Sequence, residues 1–386
     1  MKKQKELVQS NKRKFMFLYL NTGNGHIAQA RVLKDAMAEV APDVPVELVN
    51  GFDNTNITGK AFFEKGYSLA CNYIPGAFPL IYDLAQHRGL LSFFYAFLAQ
   101  HTAHYIKKEI IRLGITDVVS FHFALTPAAK VAIRSLKRKI NLTVLCTDPF
   151  TGPNAWFYCR NEDFLVGSEE FRQVAIKDCK VKPSHVKVVP FLVNKKFRIP
   201  VTDEQKKDLR RKYGFDENKK VVLLAGGGEG LPGALKIINL CVLNKADFAV
   251  AVVCGRNTPM KQSLELLSKT YKRLDLHVYG FVDFMESLIK LSDLVVSKAG
   301  TSTVMEIVAS KKPLIISEYI HNQELGNMRF VVQNHVGYYI RHSADIYKKI
   351  GEILNSEDNY KHVMKNADKL KIDTDATKIA RYVLEK

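Results

Sequence analysis

The chain has no uninterrupted apolar run approaching the roughly 18 residues that would mark a membrane-crossing helix. Its basic start, Met1 to Lys14, is followed only by the short run Phe15 to Leu20, so neither a membrane span nor a secretion signal is expected. Paired cysteines are missing as well: Cys71, Cys146, Cys159, Cys179, Cys241 and Cys254 are scattered, with no Cys-x-x-Cys and no histidine at ligand spacing. Reduced thiols are expected and structural zinc is not. Acidic residues are in deficit, 39 against 57 lysines and arginines, for a net charge of +18. The surplus is uneven, 28 basic against 16 acidic residues in 1–200 and 29 against 23 in 201–386. A basic half suits nucleic acid, an anionic membrane surface or plain solubility. No nucleic-acid recognition motif accompanies the charge, so no nucleic-acid partner is expected. Solenoid repeats and low-complexity stretches are also lacking.

What is present is a long, core-forming chain, 386 residues with 47% hydrophobic content, which suggests two domains. Phe15 to Leu20 reads as a strand, Asn21 to His26 as a glycine turn, and Ile27 to Val40 as a helix. Asp117 to His122, Asn141 to Asp148, and Phe164 to Val166 repeat the strand pattern, with helices over Thr126 to Leu136 and Glu169 to Asp178. A polar connection from about Val193 to Lys219 holds a helix over Thr202 to Tyr213. A second series follows: strand Val221 to Ala225, turn Gly226 to Gly233, strand Phe248 to Val253, then Leu276 to Tyr279. This alternation predicts an α/β fold of two doubly wound domains, 14–195 and 196–365. A C-terminal helical segment, 366–386, has packing back on the N-terminal domain as one option.

The most informative stretch is Asp293 to Asn327. Leu294 to Val296 has the make-up of a buried strand, Lys298 to Thr303 is a small hydroxyl-rich turn, and Val304 to Ala309 reads as a helix. A strand, a small turn and a helix N-terminus offer backbone N–H groups and a favourable dipole to a phosphate. Glu306, a turn further on, suits the hydroxyls of a ribose; the plain alternative is an ordinary connection with a solvated glutamate. Gly226-Gly-Gly-Glu-Gly230 would let a backbone approach a diphosphate. His26, His122 and Asp148 each fall at a strand mouth, the edge where ligands bind in such sheets. His26 suits a general base, with capping of its helix as the structural alternative. Lys60 to Leu113 is crowded with aromatics, read either as core or as an interfacial segment beside Lys107, Lys108 and Arg112. Asp373-Thr-Asp375 stands directly before a helix and reads as a cap rather than as a metal site.

Several motifs together resemble one family. Gly280-Phe-Val282, Ser297-Lys-Ala-Gly-Thr-Ser-Thr-Val-Met-Glu306, Asn322-Gln-Glu-Leu-Gly-Asn327, Gly226 to Gly230 and Cys254-Gly-Arg-Asn257 resemble the monogalactosyldiacylglycerol synthase and processive diacylglycerol glucosyltransferase family. That family is related to the peptidoglycan N-acetylglucosaminyltransferase. The resemblance spans most of 14–360 and implies a GT-B fold, two facing Rossmann-like domains with an interdomain cleft, and inverting transfer from a UDP-sugar without a bound metal or tightly held cofactor. Residue by residue, it places Gly227, Gly228 and Glu229 at the diphosphate and Phe281 and Val282 at the uracil. Gly300, Thr301, Ser302 and Thr303 fall at the phosphates, Glu306 at the ribose, and Gln323 and Glu324 at the sugar hydroxyls. His26 matches the proposed base, with Asp148 as the second candidate. Asn24, Phe123 and Asn194 depart from the usual glycine, proline and phosphate-side arginine; Lys195 or Arg256 are candidates to replace that arginine.

The function implied is transfer of glucose or galactose from a UDP-hexose to diacylglycerol or a related lipid, by a protein peripheral on the cytosolic face of an anionic membrane. The alternatives are a UDP-N-acetylglucosamine transferase for an undecaprenyl-type acceptor, a UDP-sugar epimerase, and a catalytically silent UDP-sugar-binding protein.

Overall fold

The computed structural model describes residues 13–21, 25–53 and 86–386, and it groups them into two units. The first comprises the described residues from Arg13 to Leu192 with His321–Gln323 and Asp373–Lys386, and the second Val193–Ile320 and Glu324–Ile372.

In the first unit, β1 (Phe15–Tyr19), β2 (Val46–Asn50), β3 (Asp117–Ser120), β4 (Asn141–Leu145), β5 (Asp163–Val166) and β6 (Val186–Val188) form one parallel sheet, ordered β2-β1-β3-β4-β5-β6. The helices α1 (Gly25–Val40), α2 (Arg88–Leu113), α3 (Thr126–Arg134) and α4 (Glu169–Gln173) connect its strands. Because side chains alternate along a strand, β1 feeds two cores. Phe15 and Phe17 pack with Ala30, Leu33 and Met37 of α1, whereas Met16 and Leu18 pack with Ile106 and Ile110 of α2 and Ala128 and Ala132 of α3. The last helix, Ala376–Glu385, adds Ile379, Ala380 and Val383 to the α1 side. Asp375 caps that helix, its carboxylate accepting from the Thr377 N–H, which is the role the sequence suggested.

The second unit opens with α5 (Lys195–Arg198) and α6 (Asp203–Lys212), the latter started by a full capping box between Thr202 and Gln205. Its strands β7 (Val221–Ala225), β8 (Ala249–Val253), β9 (Leu276–Tyr279), β10 (Leu294–Lys298), β11 (Leu314–Glu318) and β12 (Gly337–Tyr339) make a second parallel sheet, ordered β12-β11-β10-β7-β8-β9. Between them run α7 (Ala234–Leu243), α8 (Thr258–Thr270), α9 (Met285–Leu291), α10 (Thr301–Ala309) and α11 (Leu325–Gln333), and α12 (Ser343–Leu354) and α13 (Glu357–Lys369) follow. The β-branched and leucine runs of β7, β8 and β10 are buried throughout, as expected of a parallel sheet covered on both faces. A buried ionic knot ties α6 to the sheet. Asp293 accepts from Arg210 at 2.6 Å, Lys206 at 2.5 Å and the Val221 N–H at 2.8 Å. Burial opposes ionisation of Asp293, yet Lys206 and Arg210 hold its carboxyl below the usual range.

Two helix expectations change in detail. Glu169 to Asp178 is not one α-helix: α4 ends at Gln173, and Val174–Asp178 widens to a π-turn. Thr301 to Thr303 belong to the first turn of α10 rather than to a preceding loop. Gly300 already has the extended backbone of a helix-capping position, so all three residues present N–H groups that the helix itself leaves unbonded. Of the aromatic stretch, Phe62, Phe63, Tyr67, Tyr73, Phe78 and Tyr82 lie outside the described residues, as does Cys71. Tyr95 is core, packed with Leu91 and Ala155.

Candidate active site

In a doubly wound sheet, ligands bind beyond the carboxyl ends of the strands where the winding reverses. In the second unit that point lies between β7 and β10, since β8 and β9 continue on one side of β7 while β10 to β12 lie on the other. The glycine turn follows β7, and its sequence is dictated by space. A Cβ at Gly226 would fall 2.2 Å from the Gly230 carbonyl oxygen, and Gly227 holds φ of +85°. Gly228 is different: a Cβ there would meet nothing within 4 Å. Its carbonyl accepts the Arg256 N–H at 2.7 Å, and a Cβ at Gly255 would stand 2.2 Å from that same oxygen. The turns after β7 and β8 are therefore interlocked. Glu229 is exposed beside them, with its carbonyl taking the Asn257 amide at 3.4 Å.

After β9, Phe281 is 56% exposed, and the Arg256 guanidinium lies 5.7 Å from its ring centre. An exposed aromatic face with an adjacent guanidinium suits a flat heterocycle. Val282 beside it is half-buried. On the β10 side, Gly300, Thr301, Ser302 and Thr303 open α10. The buried Asn327 amide fixes this turn, donating to the Ala299 carbonyl at 2.8 Å and to the Thr301 hydroxyl at 3.1 Å. The Ser302 hydroxyl is buried with no hydrogen bond among the described residues. Glu306 lies one turn deeper, and burial pushes its carboxyl up to about 8, with Lys196 pulling weakly the other way.

Glu324, expected with Gln323 at the sugar hydroxyls, is drawn inward. It is 6% exposed, and both carboxylate oxygens are engaged, one by Lys298 Nζ at 2.9 Å and the other by the Ile320 N–H at 2.9 Å. Gln323 is grouped with the first unit, where its carbonyl accepts from Thr151 at 3.0 Å and its amide lies 3.4 Å from Asp148 Oδ1. Lys298 is the residue sequence reasoning passed over. Its signal was a lone charged side chain closing an apolar strand immediately before a glycine turn.

The reversal point of the first sheet lies between β1 and β3. His26, at the start of α1, and His122, just past β3, meet there with ring centroids 4.6 Å apart. His26 Nδ1 is 3.0 Å from the Phe121 carbonyl and 2.8 Å from the Thr147 hydroxyl. A carbonyl only accepts, so Nδ1 carries the proton and Nε2 keeps its lone pair. Burial draws His26 down to about 4, the Phe121 carbonyl resisting, so the ring is neutral at pH 7. His122 is also depressed by burial, and its Nδ1 accepts the Ala124 N–H at 3.1 Å. Asp148 is buried and takes the Trp156 indole N–H at 2.8 Å. Of the two candidate bases, His26 has a basic atom, Nε2, with no hydrogen bond among the described residues, whereas Asp148 anchors Trp156. Phe123 packs edge-on against that indole, and Asn194 caps α5 through the Lys196 N–H; Asn24 lies outside the described residues.

Residues 221–380 match the glycosyltransferase family 28 C-terminal domain. A monogalactosyldiacylglycerol synthase of Spinacia oleracea chloroplasts is 26% identical over 91% of this chain and 68% of its own length. A processive diacylglycerol beta-glucosyltransferase of Bacillus pumilus is 23% identical over 97% of this chain and 95% of its own length. The chain spans about two thirds of the length of the plant relatives, 68% and 65% in two cases. Among solved structures, MurG of Acinetobacter baumannii aligns with a TM-score of 0.60 at 13% identity, covering 97% of this chain and all of that one. Anabaena Alr3699/HepE, solved with UDP-glucose, gives 0.60 at 12% identity over 96% and 98%. The fold is the GT-B glycosyltransferase fold, with a six-stranded parallel sheet in each unit.

Proposed function

We propose that the protein is an inverting hexosyltransferase that moves glucose or galactose from a UDP-hexose to the hydroxyl of diacylglycerol or a related membrane lipid. The observation that carries this reading is the set of turns at the β7/β10 reversal point, lying within the family 28 domain: a side-chain-free glycine turn, a helix N-terminus with free N–H groups, and an exposed aromatic. Gly227 and Gly228 admit the diphosphate, Thr301 to Thr303 bind it, Glu306 takes the ribose, and Phe281 with Arg256 faces the uracil. The acceptor class is supported by relatives of plant and bacterial origin whose names both specify diacylglycerol.

In the transfer, the acceptor oxygen attacks the anomeric carbon from the face opposite the diphosphate and gives its proton to His26 Nε2. The bond to the β-phosphate oxygen breaks, its electron pair stays on that oxygen, and UDP departs with an added negative charge. N–H groups already aimed at this charge lower the barrier without reorganising.

The first unit supplies the membrane surface. On the paired helices α2 and α3, Ile111 is 57% and Val131 49% exposed, and the same two helices expose Lys108, Arg112 and Arg134. Apolar side chains among cations suit an anionic headgroup layer. Among the described residues no helix is long and apolar enough to cross a membrane, and the exposed cations are what supports a peripheral placement on the cytosolic face of an anionic membrane. Incubation with UDP-glucose or UDP-galactose and diacylglycerol in anionic vesicles, followed by identification of the lipid product, tests the reading. A hexosyl-diacylglycerol is expected; sugar release without lipid product would refute the acceptor.

A further inference from the structure

Lys298 ends β10, at the point where the register against β11 slips between Ser297 and Lys298. Its side chain then lies against both donor turns. A Cβ at Gly227 would stand 3.7 Å from Lys298 Cε, and one at Gly300 would stand 3.6 Å from Cε and 3.7 Å from Nζ. The ammonium is thus framed by two glycines, Gly227 after β7 and Gly300 before α10. It is aimed by Glu324, whose other oxygen is pinned by the Ile320 N–H. The pair is asymmetric: the lysine side chain keeps 27% of its surface in solvent and the glutamate 8%. A carboxylate fixed from within holds the ammonium in place on the open side, with the Glu318 carboxyl, which burial pushes up, as the other acidic group facing it.

We propose that Lys298 is the cation that meets the donor diphosphate, and that Glu324 is a positioning residue for Lys298 rather than a reader of the sugar hydroxyls. This depends on the UDP-sugar assignment above and deepens it. A UDP-hexose brings two negative charges to this point, and the leaving UDP gains one more as the bond to the sugar breaks. Lys298 therefore interacts more strongly with the departing group than with the bound donor, and its contribution falls on kcat as well as on affinity. Because the lysine is already held by a buried carboxylate, binding costs little side-chain ordering.

The test is calorimetric titration of the full chain with uridine, UMP and UDP, alongside transfer kinetics, for the unaltered protein, Lys298→Arg, Lys298→Met and Glu324→Gln. Lys298→Met is expected to leave uridine affinity unchanged and to weaken UDP about 10–100-fold, the scale of one charge-assisted contact. Lys298→Arg should recover most of that loss. Glu324→Gln, which can still accept from the Ile320 N–H, should lower kcat more than it raises KM and weaken UDP about 3–10-fold, again sparing uridine. Should Lys298→Met unfold because Glu324 is left buried without its cation, the double variant Lys298→Met/Glu324→Gln carries the same expectation with the orphaned charge removed. UDP affinity equal to the unaltered protein in Lys298→Met, or equal losses of uridine and UDP, would overturn the proposal. So would a Glu324→Gln variant that loses affinity for UDP-hexose alone, the mark of a sugar reader. If the unaltered chain binds uridine and UDP at no measurable affinity, it is the donor assignment that fails, and this inference with it.

Discussion

Replacing Glu306 by glutamine separates what the buried carboxyl does for binding from what it costs in stability. In the free protein Glu306 ionises near pH 8, against 4.5 for an ordinary glutamate. The folded state therefore holds this proton more tightly than the unfolded chain does. Stability from this group is complete below about pH 4.5 and is lost as pH rises through 8. At pH 7.5 the unfolded chain has gained about three pH units of ionisation that the folded protein has not, a ceiling of about 4 kcal/mol. Part of the Glu306 surface reaches solvent, so about half that ceiling, roughly 2 kcal/mol, is the working figure. Glutamine keeps the shape and cannot ionise. Glu306→Gln should thus match the parent protein near pH 4.5, gain on it steadily toward pH 8, and hold a constant lead above that. Thermal unfolding without ligand from pH 5 to 9 reads the difference as a rise of a few degrees in Tm at the alkaline end. UDP affinity should move the other way and fall about tenfold or more, because ribose hydroxyls donating to Glu306 favour its ionised form, a charged acceptor that the neutral amide cannot become. A Tm difference independent of pH between 5 and 8 would refute the burial argument. UDP affinity unchanged in the variant would refute the ribose contact.

Gly228→Ala should leave stability within about 0.5 kcal/mol of the parent, since the added methyl meets nothing within 4 Å. It should cut UDP-hexose affinity at least tenfold by occupying the space the diphosphate needs; retention of donor affinity, measured by titration, would move the diphosphate elsewhere. His26→Gln should lower kcat about 100-fold or more and spare UDP affinity. In the parent protein the acid limb of kcat/KM attributable to His26 belongs near pH 4 rather than 6.5, so activity should stay level from pH 7 down to about 5.5; a limb at 6.5 in the pH–rate profile would contradict the burial of this ring. Asp293→Ala leaves Lys206 and Arg210 without their shared carboxylate, and denaturant unfolding should show a loss of about 3–5 kcal/mol.

Much of this was legible because parallel α/β sheets write themselves plainly. Each buried strand is a short β-branched run, and each ends in a polar or glycine turn that marks the ligand edge, so His26, His122, Gly226 and Thr301 were placed on that edge from the sequence alone. Short outer strands were harder: Val46–Asn50 mixes Glu47 and Asn50 into its run, and Gly337–Tyr339 is three residues long. The start of α10 was misread by three residues because Thr301-Ser-Thr303 has turn-like composition, yet these residues can enter a helix once Gly300 supplies the extended cap.

The site residues divide along a physical line. Glycines and helix termini act through the backbone, which local sequence specifies, and they could be read. Lys298 and Glu324 act through a side-chain pair 26 positions apart, across two strand ends that only the order β7-β10-β11 brings together. Periodicity carries no information about such a pair. What the sequence did hold was a paradox: a lysine closing an apolar strand and a glutamate ahead of an apolar helix, each costly to bury alone. Two such residues in one domain are each other's simplest solution, and a charge kept partly open by a partner kept fully closed is how a fold stores a cation for an anionic ligand.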